Sequence, residues 1–378
     1  MGILRTNTLS GIGTDGPVFD GVTRLDTFGY VVPPPGTTDQ RSAGITTTQG
    51  AIRFNTDSQK LEFYAQDQWF EMVIDTPALG TSSDTGAGAR GVLAGGYVAP
   101  VSVNTIDFIT ISSTGNATDF GDLTQARFAP GACSSSTRGV FGSGYVAPGG
   151  VNTIDFITIS STGNAADFGD LTQVRFDLAA CSSSTRGVFG GGYVSAPVFV
   201  NTIDFITISS TGNAADFGDL FQARYDLAAC SSSTRGVFGG GYVSAVANTI
   251  DFITISSTGN ASDFGDLTQA RYYLAACSSS TRGVFGGGYA PGSVNTIDFI
   301  TISSIGNAAD FGDLTQARYG PGACSSSTRG VFGGGRAPGD VNTIDFITIS
   351  STGNAADFGD STQARGLLAA CSNGHGGL

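Results

Sequence analysis

VNTIDFITISSTGNAADFGDLTQVRFDLAACSSSTR, residues Val151 to Arg186, followed at once by GVFGGGY ending at Tyr193, decides how the rest of the chain is read. Its block NTIDFITIS occurs six times, beginning at Asn104, Asn152, Asn201, Asn248, Asn295 and Asn342, at intervals of 48, 49, 47, 47 and 47 residues. A period of this size marks a repeat architecture, in which each unit buries its apolar surface against the next. Each unit contains four short strand candidates: FDLAACSS (Phe176 to Ser183), RGVFGGGY (Arg186 to Tyr193), NTIDFITIS (Asn201 to Ser209) and AADFGDL (Ala214 to Leu220). SSST, a variable segment and SSTGN separate them, all with turn chemistry. In the third candidate Ile203 and Phe205 point to one side, Ile206 and Ile208 to the other. A strand apolar on both faces must be covered on both, and radially packed sheets provide that cover. Burying one such Ile or Phe is worth roughly 1.5–3 kcal/mol before entropy.

The ends of the array carry further information. The unit from second to fourth strand begins at Arg90, Arg138, Arg186, Arg235, Arg282 and Arg329, but only five first-strand segments lie between these units. The sixth, GLLAACS, stands alone at Gly366 to Ser372, and GTSSDTGAGA occupies the place before Arg90 where a first strand belongs. Residues 366–372 are therefore expected to complete the sheet begun at Arg90 and to close a ring of six. An open solenoid needs capping units, and this array has none.

Composition agrees with an all-β class: glycine numbers 57, Lys60 is the only lysine, and Thr, Val, Ile, Phe and Tyr dominate the periodic segments. The net charge of −13 comes mostly from repeated aspartates. Such a chain is repelled by nucleic acid and by anionic membrane surfaces. It shows no signal peptide and no apolar run long enough to span a bilayer. The six cysteines, Cys133, Cys181, Cys230, Cys277, Cys324 and Cys371, occupy one equivalent position per repeat. Equivalent positions need not come within bonding distance, so they are read as small buried residues with reduced thiols, as in a reducing cytoplasm.

Ahead of the array, residues 1–45 have no sustained apolar period and are expected to form an extended attachment arm. Residues 46–75 contain AIRFNTDSQKLEFYAQDQWFEMVI, which reads as a small three-stranded meander, too small to stand alone. Residues 76–89 are a Gly/Ser/Thr/Pro linker, and residues 90–378 hold the repeats.

Two resemblances emerge from these motifs. The double glycine ending the second strand (Gly191-Gly192), the aromatic after it (Tyr193), the period near 47 and the C-terminal first strand resemble kelch-type β-propellers. The usual fourth-strand Trp is replaced by Phe168 and its equivalents, so the likeness is kelch-like. The IRFNT strand, polar turn, LEFY and Trp69 resemble a β-module near the N-termini of bacteriophage tail-fibre and other virion proteins. The full repeat wording is similar to propeller repeats in structural proteins of marine tailed bacteriophages, those of cyanobacteria. These resemblances imply a six-bladed kelch-like β-propeller on a small N-terminal β-module and arm, carried on the virion after assembly in the bacterial cytoplasm. They imply a tail-fibre or spike adhesin, homo-oligomeric in the particle. Its partners would be other virion proteins, through the arm, and a host-surface glycan or protein. A capsid or tail decoration without receptor binding is the alternative.

Chemistry is sparse. His375 is the only histidine and lies in a Gly-rich tail, so no buried Ser/His or Cys/His arrangement is expected. Asp155, Asp167 and Asp170 recur in every repeat, whereas a catalytic carboxylate pair would break the symmetry, and none is found. Asn164-x-x-Asp167-x-Gly169-Asp170 does not have EF-hand spacing, so these aspartates are expected to cap turns or pair with Arg175 and Arg186. No enzyme activity, cofactor or metal is expected. Two segments vary while the rest stays nearly fixed: the segment between second and third strands, and the lead-in to the first strand. In an antiparallel four-stranded sheet these emerge at one end, and the SSST and STGN turns at the other. Phe199, Tyr225, Tyr272, Tyr273, Tyr319, Arg336 and Asp340 occupy the variable end and are the candidate ligand-binding residues.

Overall fold

A computed structural model of the protein describes residues 35–42, 50–57, 60–71, 89–195 and 198–378. The arm to residue 34 and residues 76–88 of the linker lie outside the described residues. The chain divides into two compact units, Met1–Thr76 and Pro77–Leu378. The described residues are all-β apart from one 3-10 turn, and none of their helices could span a membrane.

In the first unit, β2 (Ile52–Asn55), β3 (Lys60–Ala65) and β4 (Gln68–Glu71) form the antiparallel meander read from sequence. The sheet extends into the segment assigned to the arm, because β1 (Pro35–Gly36) pairs in parallel with Phe54 and Asn55. A buried carboxylate explains the addition. Glu62 is fully buried, and Arg41, Arg53 and Asn55 converge on it. The Arg41 guanidinium holds its carboxyl below the usual range, so the turn Thr38–Ser42 is tied to the meander through charge.

The second unit contains four-stranded antiparallel sheets of one repeating order, first to fourth strand, an arrangement consistent with a propeller-like fold. One comprises Ala179–Ser182, Arg186–Gly190, Thr202–Thr207 and Ala215–Asp219. Another is assembled from the two ends of the array: Ala369–Ser372 pairs antiparallel with Arg90–Ala94, followed by Thr105–Thr110 and Thr118–Asp122.

The core lies between consecutive sheets. Val188 and Ile203 pack with Phe238 and Ile253 of the following sheet, whereas Phe189, Ile206 and Ile208 pack on Val140, Ile154 and Phe168 of the preceding one. This is the two-sided burial expected of NTIDFITIS. Each first-strand cysteine packs against the glycine that opens the next sheet's second strand, as Cys133 does against Gly187. All six thiols are free and buried; burial pushes Cys181 and Cys324 up to about 12, which keeps them protonated and unreactive.

A buried ion pair recurs at the sheet-to-sheet joints. Arg175, on the strand leaving one sheet, meets Asp204 in the next sheet's third strand at 3.0 Å, both side chains inaccessible. The same pair forms at Arg127–Asp155, Arg224–Asp251, Arg271–Asp298, Arg318–Asp345 and, from the end of the array to its beginning, Arg365–Asp107. The expected pairing with Arg186 does not occur. Its guanidinium lies 4.4 Å from the Phe205 ring centroid and donates to the Ile255 carbonyl.

The constant turns are constant for structural reasons. Ser182 Oγ donates to the Ser134 carbonyl, and each equivalent serine does the same to the preceding first strand. The series returns to its start, since Ser134 Oγ donates to the Ser372 carbonyl. Ser183 Oγ accepts from the amides of Thr185 and Arg186 and so shapes the turn. At the STGN turn, Gly212 lies so close to Gly169 of the preceding sheet that a Cβ there would stand 2.5 Å from its carbonyl oxygen. Gly169 also has φ +145°, so both space and backbone exclude a side chain.

Candidate binding face

The variable segments are ordered by pairing with one another. The residue three positions before each first strand forms an antiparallel bridge to the residue three positions after the second strand of the same sheet, as Phe176 does with Tyr193 and Tyr225 with Tyr242. The double glycine makes this possible: Gly191 and Gly192 have φ of +71° and +112°, and a Cβ on Gly191 would stand 2.6 Å from the Arg224 carbonyl oxygen.

Pairing brings two aromatic positions per repeat into one belt. Tyr97, Tyr145, Tyr193, Tyr242 and Tyr289 follow second strands; Phe128, Phe176, Tyr225, Tyr272 and Tyr319 precede first strands. From Tyr97 to Tyr319 they alternate, with neighbouring ring centroids 5.0–5.6 Å apart and every residue partly buried. The last repeat has Arg336 and Gly366 at these positions. Arg336 lies across Gly366, leaving no room for a side chain there, and its guanidinium is 5.9 Å from the Tyr319 centroid and 5.5 Å from Tyr97. A cation thus joins the two ends of the aromatic series.

All seven candidate residues from sequence lie in or against this belt. Tyr225, Tyr272, Tyr319 and Arg336 are members of it. Phe199 packs on Tyr225 at 5.8 Å, and Tyr273 sits between Tyr272 (5.1 Å) and Tyr319 (5.7 Å). Arg336 and Asp340 pair with each other. Arg336 Nε is 3.0 Å from Asp340 Oδ1, and Asp340 Oδ2 accepts from the Ala99 amide, 3.1 Å away. They form a clasp between the last and first variable segments.

Inside the belt lies a second ring of backbone hydrogen bonds. Asp177 N donates to the Ala129 carbonyl, Asp226 N to Asp177, Tyr273 N to Asp226, Gly320 N to Tyr273, Leu367 N to Gly320 and Ala129 N to Leu367, at 2.7–3.3 Å. All six residues share a left-handed backbone, φ +53° to +63°. The ring surrounds a cavity of about 120 Å³ lined by all six first strands and their lead-ins, with Leu178, Leu227, Leu274 and Leu368 in its walls.

The sequence reading missed the main polar group of this cavity. Asp177 and Asp226 occur at the ring position in only two of six repeats, so they do break the symmetry that the repeated aspartates keep. FDLAA and YDLAA carry that signal in the sequence. The two carboxyls stand side by side, with Tyr273 next to Asp226. Burial pushes Asp177 up to about 7, and burial together with the Asp177 charge pushes Asp226 further up. Burial also raises the Tyr273 hydroxyl.

A second cavity, of about 60 Å³, is lined by the Ala-Cys-Ser segments of the first strands and by His375. Contrary to expectation, the histidine is drawn inside. Its Nε2 is 3.0 Å from the Ser134 carbonyl and 3.4 Å from Ser182 Oγ, and burial lowers its pKa. Ser182 Oγ donates its proton to the Ser134 carbonyl, so His375 is not placed to take it.

The raised carboxyls set a direction for stability against pH. The folded chain binds protons that the unfolded chain, with aspartates near 3.9, has released. This contribution is complete below about pH 4 and is lost as pH rises through about 7, the Asp177 value, and beyond. We expect the melting temperature of the wild type to fall by several degrees between pH 5 and pH 8 relative to the Asp177→Asn/Asp226→Asn variant. Equal pH slopes for the two proteins would contradict this assignment.

No family model matches the chain, and no curated protein matches it.

Proposed function

We propose that the second unit is a closed, six-bladed kelch-like propeller, and that the protein is an adhesin of a tailed-bacteriophage virion whose variable face binds a host-surface glycan or protein. Closure is supported by three head-to-tail series that return to their starting repeat: the serine bonds, the left-handed backbone ring and the Arg–Asp pairs. In this reading the N-terminal module and arm attach the chain to other virion proteins, and several copies per particle supply avidity.

The observation that carries the recognition role is the aromatic belt around an open cavity, at the end where the repeats differ. Rigid aromatic edges over a recess suit sugar rings and side-chain anchors, and they lose little conformational entropy on binding. A virion decoration without receptor binding is the second reading. It is favoured by the amount of ring surface that the belt's members commit to each other.

The test is binding of the purified full chain to cyanobacterial cells and to an array of bacterial surface saccharides. Phe199→Ala combined with Tyr242→Ala is expected to weaken binding roughly tenfold or more, as loss of two anchors does, while the fold remains intact. Ser184→Ala with Ser233→Ala, at exposed positions of the constant turns, should leave binding unchanged. The opposite outcome would move the recognition surface to the constant end.

A further inference from the structure

We propose that the cavity within the aromatic belt is a binding site for a primary ammonium group, held by Asp177 and Asp226 with Tyr273 beside them. The proposal rests on the recognition role above and names the chemistry of its ligand.

The backbone ring does not require the carboxyls. Ala129, Tyr273, Gly320 and Leu367 adopt the same backbone and make the same ring hydrogen bond without a carboxyl group. Asp226 is 5 % exposed and lines the cavity; Asp177 and Tyr273 are its side-chain hydrogen-bonding neighbours, but neither of its carboxyl oxygens completes a bond of good geometry with them. Leaving a buried carboxyl in that condition is unfavourable and calls for a partner from outside. Among the described residues, none of the neighbours is a cation. The arginines nearest in sequence, Arg175 and Arg224, are turned away to Asp204 and Asp251. The titratable groups around Asp226 are Asp177, Tyr273, Tyr225 and Tyr272, none of them basic.

The surroundings select among cations. A hard divalent ion needs six to eight oxygens. Here two adjacent carboxyls are available, and the ring carbonyls already accept backbone hydrogen bonds. An ammonium group offers three donors to a few acceptors, and the carbon body that carries it gains from apolar walls and aromatic faces. Leucines line this cavity and Tyr273 stands at its edge. An amino sugar and a lysine side chain present the same group. Because the free site holds its protons, a bound ammonium must displace them, and binding should weaken as pH falls.

The experiment titrates the full chain at pH 7 with glucosamine and with Nα-acetyl-lysine methylamide, followed by ligand-observed NMR, with glucose and N-acetylglucosamine as uncharged counterparts. At least one amine should bind, at least tenfold more weakly to Asp226→Asn and more weakly to the wild type at pH 5. Glucosamine alone binding identifies a sugar source, and the lysine amide alone a peptide source. Asp226→Asn replaces a carboxyl that the free site holds protonated with a neutral group of the same shape and should fold; Asp177→Asn provides the same comparison if it does not. Neutral sugars binding as well as glucosamine, to wild type and variant alike, would overturn the ammonium assignment while leaving the belt as a sugar-binding surface. Absence of amine binding, or a Ca²⁺-induced rise in melting temperature that Asp226→Asn abolishes, would overturn it too.

Discussion

Deleting residues 366–378 is expected to lower the melting temperature by roughly 10 °C or more, or to leave the protein aggregated. The deletion removes Ala369–Ser372, the first strand of the sheet that contains Arg90–Ala94, and with it the burial of Leu368, Ala369 and Cys371. It also breaks two of the three head-to-tail series, removing Leu367 from the backbone ring and Ser372 from the serine series, while Arg365–Asp107 remains. The strand Arg90–Ala94 becomes an unpaired edge with Val92 and Leu93 uncovered, a template for association with other chains. Loss on the order of 5 kcal/mol follows from the apolar burial and edge exposure together. A truncated chain that melts like the full one would show that the proposed ring does not depend on its last strand.

Arg175→Met is expected to destabilise the protein by about 3–5 kcal/mol, because it leaves the Asp204 carboxylate buried without its cation. Asp204 also accepts from the amide and hydroxyl of Thr172, at 3.1 and 2.7 Å, and these two bonds cannot neutralise its charge. The double variant Arg175→Met/Asp204→Leu should recover much of the loss, since it removes both charges and fills the joint with apolar atoms. The change is read from the denaturant midpoint at constant slope. A cost below about 1 kcal/mol for the single variant, the range of exposed pairs, would mean that water reaches the joint.

The deletion and the double variant probe different levels of what the chain encodes. Strand positions were legible because alternation and turn residues act locally. AACS, RGVFG, TIDFIT and ADFGD each became a strand in its own sheet. The covering of NTIDFITIS on both faces was also legible, since Ile203 and Ile206 cannot share a side of one strand. The pairing of residues 366–372 with the segment at Arg90 followed from counting copies. The join between β1 and the meander was not legible, because Pro35-Gly36 has no strand pattern. It depends on a carboxylate at Glu62 that gathers Arg41 and Arg53 from separate segments.

The candidate site divides in the same way. Phe199, Tyr225, Tyr272, Tyr273, Tyr319, Arg336 and Asp340 were found because they sit where copies differ. Sequence could not tell that Arg336 and Asp340 neutralise one another, nor that Tyr145, Tyr193 and the other tyrosines after the double glycines interleave with them. Asp177 and Asp226 are 49 residues apart in the chain. Only the stacking of one sheet on the next brings their side chains together, and only the cavity between the first strands removes water from them. Local rules of alternation, turn chemistry and copy number therefore determined, from sequence alone, which segments are strands and which ends vary. The tertiary structure decided which side chains from different repeats meet and how far each is desolvated, because contact and dielectric depend on neighbours that no single repeat contains.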